Sequence, residues 1–215
     1  MVASSPRSIL EILYIGDPPS GYSRYALRSL TPAQIKSISS TVVSQGIMAV
    51  VQLPAGTYTD ELPAKAGARV LLLEDIQDPG NVGTLIRTAA AFDYSGIILT
   101  GKCADPFSPK CVQSTAGSAL SLWIRRTASY LDLVDELRRR GYILVAADLR
   151  GPQGPSILKE TDRLVLALGN EAAGLSDALL KRSDHKVKIS VAGAKAESLN
   201  VAACGAICMY LSSLK

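Results

Sequence analysis

Residues Arg69–Phe92 read "RVLLLEDIQDPGNVGTLIRTAAAF". An unbroken apolar run ends in two acidic residues, passes through a proline-glycine turn and enters a small, apolar segment with helical spacing. Continuous rather than alternating apolarity marks a strand buried on both faces, as in parallel sheets. Asn81 stands where an N-cap is expected, and Gly80 and Gly83 allow close approach of another chain or a ligand. The same unit repeats downstream. Strands are predicted at 69–75, 96–100, 123–128, 142–148, 163–169 and 186–190, and helices at 81–93, 109–121, 130–140, 175–182 and 198–214. This alternation predicts an α/β domain over 69–215, a parallel sheet with helices on both faces.

Upstream, residues 54–68 hold two prolines and two glycines without a strong period, and 55–68 read as a linker. Residues 1–54 contain "ILEILYI" (9–15), a helix-like "TPAQIKSISSTVV" (31–43) and "GIMAVVQLP" (46–54), a small α+β piece. The 215 residues suit one domain with a small second piece, and at 47% hydrophobic they can build a sizeable core. Two Phe and one Trp make that core aliphatic. The net charge of +4 is compatible with an anionic partner without demanding one. No apolar run reaches the ~18 residues a membrane span needs, and the N-terminus lacks a clear signal-peptide pattern, so an intracellular, cytoplasmic protein is expected. Cys103, Cys111, Cys204 and Cys208 read as small buried thiols, and with a single His185 they make no zinc pattern.

Three stretches carry chemistry. In the first, Arg87 sits among Leu85, Ile86, Ala89 and Ala90. Helical side chains lean toward the N-terminus, so Arg87 leans over Gly83 toward the carboxyl edge of the sheet, where ligands bind in open α/β folds. The alternative is an ion pair with Glu74, Asp75 or Asp78. In the second, "LALGNEAAGLS" (166–176), Gly169, Asn170, Glu171 and Gly174 close a strand, so that backbone can meet a ligand. Glu171 also fits simple charge complementarity at a helix start. In the third, "SVAGAKAESLNVAACGAICMYL" (190–211), Ser198 reads as an N-cap, and Ala202, Ala203, Gly205 and Ala206 form a small-residue face for close packing. No G-x-G-x-x-G follows any strand, which argues against a dinucleotide enzyme.

Taken in order, Asn81-Gly83-Arg87, Gly169-Asn170-Glu171 with Gly174-Leu175, and Ser198-Leu199-Asn200 resemble the three motifs of the SpoU (TrmH) family of RNA ribose 2′-O-methyltransferases, of the SPOUT class. Ala172 stands where Gly is common, and residues 188–200 lack the usual proline after Ile189. The resemblance implies a C-terminal trefoil knot, a homodimer, S-adenosylmethionine as cofactor, RNA (ribosomal or transfer) as substrate and no metal. It implies catalytic roles for Arg87, Asn81, Glu171, Ser198 and Asn200. Thr100, Gly101, Leu168, Gly169, Asn170, Gly174, Ile189 and Leu199 are the implied cofactor-binding positions. Residues 1–54 look like the latter part of the family's ribosomal-protein-like RNA-binding domain. A catalytically silent RNA-binding protein of the same fold is the rival reading.

Overall fold

The computed structural model describes residues 8–39, 45–191 and 198–214. The chain divides into two compact units, Met1–Ala55 and Gly56–Lys215.

In the first unit, β1 (Ile9–Tyr14) lies between β2 (Ala26–Ser29), parallel to it, and β3 (Ile47–Val51), antiparallel. Helix α1 (Pro32–Ile38) opens with a capping box: Thr31 Oγ1 accepts from Gln34 N, and Gln34 Oε1 accepts from Thr31 N at 2.8 Å. Ile12 and Ile35 are buried in this unit. The helix expected over 31–43 ends at Ile38 with Ser39 as its cap, and residues 40–44 lie outside the described ones. Strand β2 carries no continuous apolar run and was not legible in the sequence.

The second unit is a six-stranded, all-parallel sheet of order β6-β5-β4-β8-β7-β9. Its strands are β4 (Arg69–Leu73), β5 (Gly96–Thr100), β6 (Trp123–Thr127), β7 (Ile143–Ala147), β8 (Leu164–Leu168) and β9 (His185–Val187). β4 gives Leu71 and Leu73 to one core and Val70 and Leu72 to the other; β8 gives Leu164, Leu166 and Leu168 to the first and Val165 and Ala167 to the second. Each such side chain contributes roughly 1.5–3 kcal/mol when fully buried, so neither face can be left to water. Helices α2 (Pro79–Ala91), α3 (Pro109–Thr115), α5 (Ile157–Glu160) and α7 (Val201–Ser213) contribute to the first core, and α4 (Tyr130–Arg139) and α6 (Asp177–Arg182) to the second.

The predicted helix 109–121 is two pieces. Ala116 and Gly117 both take positive φ, ending α3 before a 3-10 turn at Ser118–Leu120. The segment expected as a linker has no helix or strand over 56–68, yet it is stitched to the sheet's edge. Arg126 N donates to Thr57 O at 2.7 Å, Arg125 Nε to Glu61 O at 2.6 Å and Trp123 Nε1 to Ala66 O at 3.1 Å. These residues therefore cover β6, whose edge would otherwise present unpaired backbone groups. Among the described residues no helix is long and apolar enough to cross a membrane, and no group of three or more His, Cys, Asp or Glu side chains could hold a metal ion. The four cysteines are free thiols, all but the half-buried Cys204 fully buried.

Candidate active site

The site is built where three strand-to-helix connections meet. The first is the turn between β4 and α2. Asp78, not Asn81, caps α2: its Oδ1 accepts from Gly80 N at 2.5 Å and Asn81 N at 3.1 Å, with Pro79 in the first helical turn. These two backbone hydrogen bonds hold the Asp78 carboxyl below the ordinary aspartate range. Capping by Asp78 releases the Asn81 side chain for longer-range work. Its Nδ2 donates to Glu171 Oε1 at 2.7 Å, and its Oδ1 accepts from Asn200 Nδ2 at 3.2 Å.

Asn200, not Ser198, is the N-cap of α7: its Oδ1 accepts from Ala202 N at 2.8 Å and Ala203 N at 3.4 Å. Its other amide atom is then free to reach Asn81. Glu171, Asn81 and Asn200 thus form one hydrogen-bonded chain, joining residues from all three sequence stretches.

Beside this chain lies a cavity of about 400 Å³ at the ends of β7, β8 and β9. Its walls include Leu168, Gly169, Asn170, Glu171, Gly174, Ile189, Ser198 and Leu199, all expected from the sequence. The loop after β8 supplies much of it. Asn170 shapes that loop rather than pointing at a ligand: Nδ2 donates to Asp75 O at 2.9 Å, and Oδ1 accepts from Ala172 N at 2.9 Å and Ala173 N at 3.0 Å. Gly174 takes φ 72°, a conformation that L side chains resist, and its N–H returns to Asn170 O. The loop then passes so close to Gly169 that a Cβ there would lie 2.5 Å from Leu175 N.

Thr100 and Gly101 do not line this cavity. Thr100 ends β5 and Gly101 follows it, and β5 is separated from β8 by β4. Thr100 is buried and committed to Asp75, donating to its Oδ1 at 2.6 Å and accepting from its N–H at 2.9 Å. Ala147, Asp148, Leu149 and Arg150, at the end of β7, are among the lining residues that the sequence reading missed, as are Val187, Lys188, Val191 and Cys204. "YILVAADLRG" has the same strand-to-glycine ending as the β8 stretch, but only the strand order places it next to β8. Arg150 donates to Asp148 Oδ1 from its backbone at 2.8 Å and from Nε at 3.3 Å. Burial alone would raise the Asp148 carboxyl; those hydrogen bonds and the Arg150 charge outweigh it and hold it below the usual aspartate range.

Arg87 is exposed and, among the described residues, has no hydrogen-bonding or ion-pairing partner. Its three candidate carboxylates are engaged elsewhere: Glu74 with Ser176, Asp75 with Thr100 and Lys102, and Asp78 with the α2 amides. Gly83 does not make room for Arg87. A Cβ at Gly83 would lie 2.5 Å from Cys111 O, so this glycine lets α3 cross α2 closely.

A family model described as the SpoU rRNA Methylase family matches residues 68–210. The chain belongs to the SpoU rRNA methylase family. It is 36% identical over 179 residues to an uncharacterised tRNA/rRNA methyltransferase of Synechocystis, covering 82% of this chain and 63% of that one. It is 33% identical over 183 residues to the 23S rRNA (guanosine(2553)-2′-O)-methyltransferase RlmP of Bacillus subtilis, covering 84% of this chain and 70% of that one. The crystal structure of the SpoU methyltransferase AviRb from Streptomyces viridochromogenes, in complex with AdoMet, superposes with a TM-score of 0.82 at 29% identity, covering 95% of this chain and 82% of that one. In this SpoU methylase the parallel sheet and the joined Glu171–Asn81–Asn200 side chains both fall inside the matched region.

Proposed function

We propose that this SpoU-family enzyme transfers a methyl group from S-adenosylmethionine to a ribose 2′-hydroxyl of structured RNA, ribosomal RNA foremost and transfer RNA next. The observation that carries this reading is the Glu171–Asn81–Asn200 chain set against the cavity. The cavity fits the cofactor. Leu168, Leu175, Val187, Ile189 and Leu199 offer apolar surface for a flat base, while Asp148 and Glu171 place carboxylates where a cationic ligand gains from them. When bound, the cofactor supplies an electrophilic methyl group.

What remains for the protein is orientation and removal of a proton. Arg87 serves as an anchor for a backbone phosphate rather than as a base, because its planar fork of N–H donors suits two phosphate oxygens. Asn81 cannot rotate freely, since donor and acceptor are both engaged, and so presents a fixed edge to the ribose. Glu171 uses Oε1 for Asn81 and leaves Oε2 without a partner among the described residues, an acceptor for the hydroxyl proton. Ser198 lines the cavity, where its hydroxyl can hydrogen-bond a bound ligand.

The same reading includes a trefoil knot, a homodimer, a cytoplasmic location and RNA docking by the Met1–Ala55 unit. Part of the segment between β9 and α7, residues 192–197, lies outside the described residues. The strand order supports the knot: β9 is at the sheet edge beside β7, while α7 packs against α2 and β8. For the dimer, the small-residue face divides. Gly205 is buried, with Leu168 Cδ1 2.7 Å from where its Cβ would be, so it serves internal packing. The exposed face is another one, Ala203, Ile207, Tyr210 and Leu214, at helical spacing, with only the Tyr210 ring set against Phe92.

Incubating the chain with isotope-labelled S-adenosylmethionine and ribosomal or transfer RNA, then mapping 2′-O-methyl positions, tests the reaction. RNA binding without methyl transfer returns the reading to a silent RNA-binding protein. For assembly, light scattering is expected to give a dimer at micromolar concentration and a monomer for Ile207→Asp. A wild-type monomer rules the dimer out.

A further inference from the structure

Both ends of the cavity loop are tied to two consecutive residues just past β4. At the near end, Asn170 Nδ2 donates to Asp75 O at 2.9 Å, and Asp75, at φ 56°, is held there by Thr100. At the far end, Glu74 accepts from Ser176 N at 2.7 Å, from Ser176 Oγ at 2.6 Å and from the Tyr130 hydroxyl. Glu74 is 3% exposed and, among the described residues, is paired with no cation. A carboxylate buried without a counter-charge is costly unless several donors satisfy it, and here three do. Burial first, and then the hydrogen bond to Glu74, push the Tyr130 phenol up to about 12, so it remains a donor at neutral pH.

The positions of these donors indicate what Glu74 does. Ser176 is the N-cap of α6, its Oγ accepting from Leu179 N, and it is the last residue of the loop that begins at Gly169. Glu74 is not itself one of the cavity walls. Its backbone joins the same system, Glu74 N donating to Leu168 O at 2.9 Å immediately before the loop starts.

We propose that Glu74 is a positioning residue for methyl-donor binding: by holding Ser176 it fixes the 169–176 wall against the end of β4. This rests on the reading that the cavity holds S-adenosylmethionine. Glutamine should substitute well. Its oxygen can stay on the Ser176 N–H, while its NH₂ faces two hydroxyls, Tyr130 and Ser176, that can both turn to accept. Leucine matches the volume but leaves the Ser176 N–H and the Tyr130 hydroxyl without their acceptor.

The experiment is calorimetry with S-adenosylmethionine on the full chain, alongside steady-state kinetics with RNA, for wild type, Glu74→Gln, Glu74→Leu and Ser176→Ala. Glu74→Leu is expected to bind about tenfold or more weakly, the scale of one lost hydrogen bond to a charged group. Its KM for the donor should rise while kcat at saturating donor and KM for RNA stay near wild type. Glu74→Gln should restore binding to near the wild-type value. A merely structural role predicts instead a smaller active fraction, seen as lower kcat with unchanged KM, and no selective rescue by Gln. If Glu74→Leu does not fold, Ser176→Ala carries the test: it removes one of the three donors, and donor affinity should fall while RNA affinity holds. Wild-type donor affinity in Glu74→Leu, or in Ser176→Ala should Glu74→Leu not fold, or a Gln variant as weak as Leu, overturns the inference. Failure of the wild type itself to bind S-adenosylmethionine overturns the cavity reading, and this inference with it.

Discussion

Arg87→Ala is expected to lower methyl transfer by roughly 10²-fold or more, the scale of removing one well-placed charged donor, while leaving S-adenosylmethionine affinity nearly unchanged. The argument starts from what Arg87 does not do. It is exposed, pairs with nothing among the described residues and is absent from the cavity walls. Removing it therefore takes away no contact of the fold, and thermal stability should stay within about 0.5 kcal/mol of wild type, as for an ordinary surface change. A residue that matters to turnover but not to stability or cofactor binding is one that meets the substrate. Arg87→Lys keeps the charge but loses the planar fork, and should recover little. The measurement is single-turnover methylation of RNA with cofactor affinity determined in parallel. Wild-type turnover in Arg87→Ala would show that the phosphate anchor lies elsewhere.

Gly169→Val is expected to weaken cofactor binding by roughly 10 to 10²-fold, the equivalent of the strain commonly caused by overpacking. The cause is the loop itself, not crowding of the ligand. A Cβ at position 169 would lie 2.5 Å from both Gly174 O and Leu175 N. These are backbone atoms, so no side-chain rotation relieves the clash, and Gly174 is already fixed at φ 72°. The two explanations separate at alanine. If the ligand alone were crowded, Gly169→Ala would be milder than valine by a wide margin. With the backbone as the obstacle, Ala already introduces the offending atom and should bind nearly as poorly as Val. Calorimetry on both variants decides, and wild-type affinity in Gly169→Ala would refute the packing argument.

Strands β4, β5, β7 and β8 were legible because the sheet buries them on both faces, which writes each as a mostly apolar run such as Val70–Leu73 or Leu164–Leu168, whereas the edge strands β6 and β9 carry Arg125, Arg126, His185 and Lys186. Their lateral order leaves no such trace. That is why Asp148 was not expected on the cavity wall: β5 and β7 look alike in sequence, but only β7 adjoins β8, whereas Thr100 and Gly101, beyond β4, do not line the cavity. Two helix caps were misplaced, Asn81 for Asp78 and Ser198 for Asn200, for a chemical reason. Asp78 and Asn81, or Ser198 and Asn200, are all competent caps, and the local sequence does not say which side chain is needed for a distant partner. Asn81 is drawn away by Glu171. Similarly, Gly83 and Gly205 were correctly read as close approaches, but the approaching groups, the Cys111 carbonyl and the Leu85 and Leu168 side chains, are set by tertiary packing. The Glu74 carboxylate was visible only as a possible mate for Arg87, because its real partners, Tyr130 and Ser176, lie 56 and 102 residues away.

The joined side chains also order events in time. Asn81 and Glu171 are separated by 90 residues, and Asn81 and Asn200 by 119. Contacts of such sequence separation form only after large loops have closed, and so belong to the late stages of folding. While the polypeptide is emerging during synthesis, β4 and α2 can be complete with Asn81 uncommitted. After Glu171 takes its amide N–H, its second tie is made only when the residue that starts the last helix arrives to cap that helix. One side chain, Asn200, thus finishes a helix and the hydrogen-bonded chain together, and a partly folded polypeptide lacks the joined Glu171–Asn81–Asn200 arrangement.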